Sequence, residues 1–137
     1  MAKYKQIYID IFKRHMIVFI GNHEEFKSWA NTYYSDNDEY EEFIKIINQS
    51  TGKAQASCYF NNGDGECVIE IPSEPINPND ISYAVHEILH ATFNILDFVG
   101  VEYYQNGSNE TFTYLIEYIT KEVFTLNNYL NYDSSLS

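Results

Sequence analysis

The sequence predicts an α+β domain: a small sheet, antiparallel or mixed, packed on helices. Short alternating and apolar runs fill the first half of the chain, two long helical patterns fill the second, and neither an internal repeat nor a low-complexity stretch intervenes. The 137 residues are 45% hydrophobic and 20% charged, the size and composition of one globular domain. That domain is expected over residues 1–132, with a disordered tail at 133–137.

Residues 4–12 alternate in side-chain type (Tyr4, Gln6, Ile7, Tyr8, Ile9, Asp10, Ile11) and read as a strand. Met16 to Ile20, the longest apolar run, reads as a second, with Lys13-Arg14-His15 as the turn between them. After Gly21-Asn22, His23 to Thr32 suits a short helix with Phe26, Trp29 and Ala30 inward. Ser35 to Asp38 breaks that helix and caps another, Glu39 to Asn48, with Phe43, Ile44, Ile46 and Ile47 at helical spacing. A hairpin follows at 55–71, its arms Gln55–Phe60 and Glu66–Ile71. Two turns compete for it: Asn62-Gly63 places Cys58 opposite Cys67, and Asp64-Gly65 offsets them. In a reducing compartment the two cysteines are expected as packed thiols, with a disulfide as the alternative.

A stiff connector holding Pro72, Pro75 and Pro78 leads into the first long helix. Asn77 as N-cap, Pro78 at the first helical position and Asp80 at the third mark its start, and Gly100 its end, giving about 78–98. Ile81, Val85, Ile88, Thr92, Ile95 and Val99 define the expected inner face. A loop from Val101 to Gly107 precedes the second long helix, about 108–127, with Phe112, Leu115, Ile116, Ile119 and Val123 inward.

Eight Lys and Arg against twenty Asp and Glu give a net charge of -12. That field repels phosphate backbones, and Lys3, Lys5, Lys13 and Arg14 are too few to offset it, so no nucleic-acid partner is expected. No apolar run approaches the roughly 20 residues of a membrane helix, and the N-terminal residues lack the continuous apolar core of a signal peptide. A cytoplasmic protein without membrane contact is expected. The acidic surface keeps a tyrosine-rich chain dissolved and, as a binding surface, favours basic peptides.

The chemistry concentrates in His86-Glu87-Ile88-Leu89-His90 on the first long helix. Histidines at i and i+4 project from one helical face, so two imidazole nitrogens reach one Zn²⁺. Glu87 lies along the neighbouring edge, where it can take a proton from a metal-bound water without itself ligating. Twenty residues beyond His90, Asn109-Glu110 opens the next long helix, which an antiparallel return brings back beside the first.

On these residues the chain resembles the gluzincin metallopeptidases, the thermolysin-like group, whose pattern is HExxH, then about twenty residues, then a Glu often preceded by Asn. The likeness spans residues 66–124 and is that of a minimal gluzincin core, similar to small zinc-peptidase-like proteins of bacteria and their phages. It implies one zinc ion held by His86, His90 and Glu110, with Glu87 as base and proton shuttle. Where the family has an acidic residue four positions after its ligand Glu, this chain has Tyr114; Asp97, seven residues after His90, is the substitute to orient a ligand histidine. A subdomain supplying the family's downstream histidine is missing, so Tyr104 and Tyr114, with Tyr103 and Tyr118, are the candidate donors to an oxyanion; packing is the competing role for each. The metzincin pattern fails at Phe93 and Leu96. Gly65-Glu66-Cys67 is faintly similar to a peptide deformylase motif, but Val68-Ile69 and the lack of a glycine-rich motif depart from it. Glu117 and Glu102 are weaker candidate ligands. In gluzincins the strand before the motif helix forms the lip of the cleft, which assigns Val68 and Glu70 to a substrate-binding edge strand, an ordinary place inside the sheet being the alternative. His15 is expected in a solvated turn, His23 as a capping or surface residue, and Asp36 to Glu42 as a solvated acidic face.

The expected function is therefore zinc-dependent peptide-bond hydrolysis of a peptide or protein substrate with Glu87 as general base. The rival is a non-catalytic zinc-site protein serving binding or assembly as a phage or mobile-element accessory factor. A third reading leaves His86 and His90 as plain surface residues.

Overall fold

The computed structural model describes residues 2–103 and 109–133. Along them run β1 (Ala2–Ile9), β2 (Arg14–Ile20), α1 (His23–Tyr33), α2 (Glu41–Gln49), β3 (Ser57–Phe60), β4 (Cys67–Ile71), α3 (Pro78–Phe98), α4 (Glu110–Phe124) and β5 (Leu130–Tyr132). Short 3-10 turns lie at Asp10–Phe12, Asp38–Tyr40 and Leu126–Asn128. The fold is α+β, with a mixed five-stranded sheet in the order β3-β4-β2-β1-β5. Neighbours are antiparallel except β2 and β4, which run parallel from Ile17↔Val68 to Ile20↔Ile71.

Helices cover both faces of the sheet. Met16, Val18, Ile20, Cys67, Ile69 and Ile71 point to α3 and α4, where they meet Ala84, Ile88, Ile95, Leu115 and Ile119. The alternate residues Ile17, Phe19 and Val68 point to α1 and α2, against Phe26, Trp29, Phe43 and Ile47. With both faces covered, alternation gives way to continuous apolar strands, which is why Met16–Ile20 is unbroken.

This topology corrects the edge assignment of Val68 and Glu70. Their strand, β4, is hydrogen-bonded on both sides, to β2 and β3, and the edge beside it is β3. The first strand ends at Ile9, short of the expected residue 12, because Asp10–Phe12 coils into a 3-10 turn closed by Lys13 in the left-handed region (φ 53°). The hairpin takes neither expected two-residue turn: Asn61 pairs with Glu66 and Gly65 sits at φ 80°. Cys58 therefore faces Ile69, and its sulfur lies 3.8 Å from that of Cys67, both as free thiols. β5 was not expected. It pairs with the start of β1, and Tyr132 exchanges a hydroxyl hydrogen bond with Ser28 of α1 at 2.8 Å.

Several helices match expectation. Phe26, Trp29 and Ala30 are buried in α1, and Asn22 and Glu25 form a reciprocal capping box at its start. α3 has the expected bounds, with Asn77 Oδ1 accepting from the Asp80 amide at 3.0 Å. Its inner face is rotated from the expected one: Ala84, Ala91 and Leu96 are buried, whereas Ile81 and Val85 are each 37% exposed. Ile46 of α2 is also exposed. In α4, Phe112, Leu115, Ile119 and Val123 are buried as expected, and Ile116 is half-buried. Its C-terminal carbonyls receive the buried Lys5 ammonium, 2.7 Å from Glu122 O. Among the described residues no helix is long and apolar enough to cross a membrane. Of the expected tail only Asp133 is described.

Candidate metal centre

The centre is built on the middle of α3, a helix fixed at its start by the Asn77–Asp80 cap and along its inner side by Ala84, Ile88 and Ala91 against the sheet. One residue of the motif turns inward and two turn out. Glu87 is 6% exposed, while His86 and His90 lie at the surface. Their rings are 4.8 Å apart at 73°, and the two Nε2 atoms approach to 3.1 Å. Glu87 Oε1 stands 3.8 Å from His86 Nε2. One donor atom from each of the three residues falls within 4.8 Å of the others, the compact metal-capable group among the described residues.

Two facing imidazole nitrogens at that distance need a shared proton or a shared cation between them. In a tetrahedral zinc site with bonds of ~2.0–2.1 Å, two nitrogen ligands stand roughly 3.4 Å apart. The observed 3.1 Å is close to that, so the two imidazoles, with the Glu87 carboxylate beside them, could hold a metal ion. Burial pushes the Glu87 carboxyl above the ordinary carboxylate range, and charge on either imidazole pulls it back.

Glu110 opens α4 as expected, at an exposed position. Phe112, one turn's edge away, packs on Phe93 at 5.4 Å, which brings the first turn of α4 alongside the turn of α3 that follows His90. Glu110 is not a member of the compact group, however, and neither are Glu102 or Glu117. Asn109 precedes α4 without capping it by its side chain; its Nδ2 donates to Tyr103 Oη at 3.4 Å. Asp97 is exposed near the end of α3, and among the described residues no hydrogen bond or ion pair joins it to His90. Tyr114 faces elsewhere, into an apolar groove with Ile9, Phe12 and Leu115, and Tyr118 donates to Tyr8 O at 2.5 Å. Tyr103 packs edge-on against Phe112. Tyr104 lies outside the described residues.

A hollow of about 490 Å³ borders His86 and Glu87, walled by Ser82 and Tyr83 of α3 and by Gln55 and Ala56, which lead into β3. The open strand edge beside the motif therefore belongs to β3. A signal for this lay in the sequence: Cys67-Val68-Ile69 is an unbroken apolar run, the mark of a strand covered on both faces, whereas Gln55 to Ser57 is not.

A second constellation was missed. His23 Nδ1 lies 2.7 Å from Glu70 Oε2, Ser50 Oγ lies 3.1 Å from His23 Nε2, and Tyr59 donates to Glu70 Oε1 at 3.2 Å. The order serine, histidine, carboxylate is that of a hydrolase triad. The Ser50 hydroxyl, however, donates to Ile47 O at 2.5 Å, and His23 Nε2 also faces Ser50 O at 3.2 Å. The serine proton is thus directed at the end of α2 and away from the histidine, and the group ties α1, α2 and β4 together. Against protein-family models, curated proteins and solved structures alike, the chain finds no match, so the reading of this centre rests on its own residues and geometry.

Proposed function

We propose that the protein is a zinc-dependent peptidase whose centre is His86, Glu87 and His90. The observation that carries this reading is the 3.1 Å approach of the two Nε2 atoms with the Glu87 carboxylate beside them. His86 and His90 would hold the ion, and Glu110 is the proposed third ligand from the neighbouring helix turn. Zinc bound there supplies a Lewis acid and lowers the pKa of a bound water. Glu87 would be the group that takes a proton from the attacking water and gives one to the departing amine nitrogen; its burial, which raises its proton affinity, suits both transfers. An extended peptide lies along the hollow between β3 and α3, where Gln55 and Ala56 border Glu87. The net charge of -12 favours basic substrates, and free Cys58 and Cys67 accord with a cytoplasmic setting.

Glu87→Gln tests it. Zinc content by mass spectrometry should stay at one ion per chain while cleavage of a mixed peptide library falls by at least about a hundredfold. The non-catalytic reading, favoured by the place of Glu110 outside the compact group, expects the substitution to leave every measured property unchanged. A wild-type protein that binds no zinc at micromolar free metal sinks both.

A further inference from the structure

The chain has two cysteines, and the fold brings them together on the α3 side of the sheet. Cys67 is fully buried on the central strand β4. Cys58 is half-buried on β3, an edge strand hydrogen-bonded to β4 alone. Three observations bear on what this pair can do.

The first is their approach. Cys58 faces Ile69 and Cys67 faces Phe60, which makes the two cysteines diagonal neighbours. Such neighbours stand roughly 7–8 Å apart, somewhat less between their β-carbons. Their sulfurs nevertheless lie 3.8 Å apart, so both side chains lean toward each other across the ladder. A disulfide closes at ~2.05 Å, and the remaining ~1.8 Å is within reach of side-chain rotation together with a small slide of β3 toward its turn.

The second is the freedom of β3 to slide. It is four residues long, has no strand on its outer side among the described residues, and runs into Asn61-Asn62-Gly63-Asp64-Gly65. The Asn62-Gly63 turn, which the hairpin leaves unused, belongs to the register that sets Cys58 directly opposite Cys67. A slide toward the turn therefore leads to a pairing these loop residues support.

The third is the asymmetry of the thiols. The Cys58 sulfur beside it and its complete burial hold the Cys67 thiol well above its ordinary range, so it stays protonated and inert until an oxidised sulfur forms next to it. Cys58, on the edge, is the thiol a small oxidant meets first.

We infer that Cys58 and Cys67 form a reversible, peroxide-driven disulfide that moves one wall of the hollow beside His86 and Glu87. The Cys58 sulfur attacks one oxygen of hydrogen peroxide, the O–O bond breaks, and the departing hydroxide carries off the thiol proton as water, leaving a sulfenic acid. The Cys67 sulfur then attacks Cys58 Sγ, the S–O bond breaks, and this second hydroxide leaves as water with the Cys67 proton. Two thiols are thereby oxidised to one disulfide, and one peroxide is reduced to two waters. In a reducing compartment, exchange with a cellular thiol restores the pair. Gln55 and Ala56, which wall the hollow, lie just ahead of β3, so a bridge that draws β3 toward its turn draws them past Ser82 and Tyr83. The bridge needs neither zinc nor peptide, so it stands or falls separately from the peptidase reading.

The test is titration of the reduced full chain with hydrogen peroxide in the presence of a chelator, read by intact mass, thiol labelling and NMR of the ¹⁵N-labelled protein. Wild type should lose two hydrogens as a monomer, with iodoacetamide uptake falling at least about tenfold and dithiothreitol reversing both. Amides of residues 55–60 and 67–69 should shift, and with them those of 82–87 across the hollow. Cys67→Ala should stop at a Cys58 sulfenic acid that dimedone traps, whereas Cys58→Ser should leave Cys67 unmodified. Should Cys67→Ala fail to fold, dimedone added to wild type together with peroxide should capture the same Cys58 intermediate and lower the disulfide yield. Thiols that stay fully labelled, a disulfide between two chains, or dimedone found on Cys67 overturns the proposal. Shifts confined to 57–69 overturn the movement of the wall.

Discussion

Glu66, Glu70 and Glu87 are all more than nine-tenths buried, at 7%, 7% and 6% exposure, and their surroundings give each a different part to play. Burial raises the pKa of Glu70, while His23 and the Tyr59 hydroxyl hold it down, so it works as the knot of a tertiary tie. Glu87 has only the two imidazoles to offset its burial, and its carboxyl is held above its ordinary value. Glu66 acts on His15: the carboxylate raises the imidazole pKa above 6.5 by more than burial lowers it. A histidine whose folded pKa is raised stabilises the native state fully below its unfolded pKa and loses that contribution as pH rises through the folded one. Wild type should therefore exceed His15→Gln in urea-melt stability at pH 5.5, with the gap closing by pH 8.5. With the His15 side chain 40% exposed, the gap should stay below ~1 kcal/mol. A gap that widens with pH would refute the assignment.

At the scale of elements, what the sequence reveals depends on how local the determining forces are. α3 is readable to the residue because Asn77, Pro78 and Gly100 act within a turn of its ends. Asn77→Ala should accordingly lower stability by about 1 kcal/mol, read as a shift in the urea midpoint at constant m, and Asn77→Ser should recover most of it. The inner face of α3 was less readable. Ile81, Val85 and Leu89 share a stripe of helical periodicity with the true core residues, and only the position of α4 decides which flank is covered. β4 was misplaced for a related reason: the parallel partner that makes it central lies in β2, beyond two intervening helices. β5 is three residues long with Leu130 61% exposed, and exists only because β1 offers it an edge.

For the molecule as a whole, the candidate centre divides in the same way. His86, Glu87 and His90 belong to two turns of one helix, so their convergence follows from spacing alone. Glu110 depends on how two helices meet, and Tyr114 faces the β1–β2 turn because α4 lies against β1 along that side. If two histidines hold zinc in the native state only, ligand binding must stabilise the entire fold. Zinc at a hundredfold excess over its Kd should add about 2.7 kcal/mol and raise Tm by several degrees, with His86→Ala and His90→Ala each abolishing the rise. Equal melting of wild type with zinc and with chelator would exclude a native-state site.

The parallel pairing of β2 with β4 has a consequence for how the chain is made. The β1–β2 hairpin emerges before β4, and the Met16–Ile20 flank that β4 must cover stays open until roughly fifty more residues have been synthesised. Through that interval the nascent chain carries an uncovered, strongly apolar ribbon, the part most prone to mispairing with another copy. Conditions that slow translation between residues 20 and 71 should thus burden this protein during synthesis more than its finished architecture would suggest.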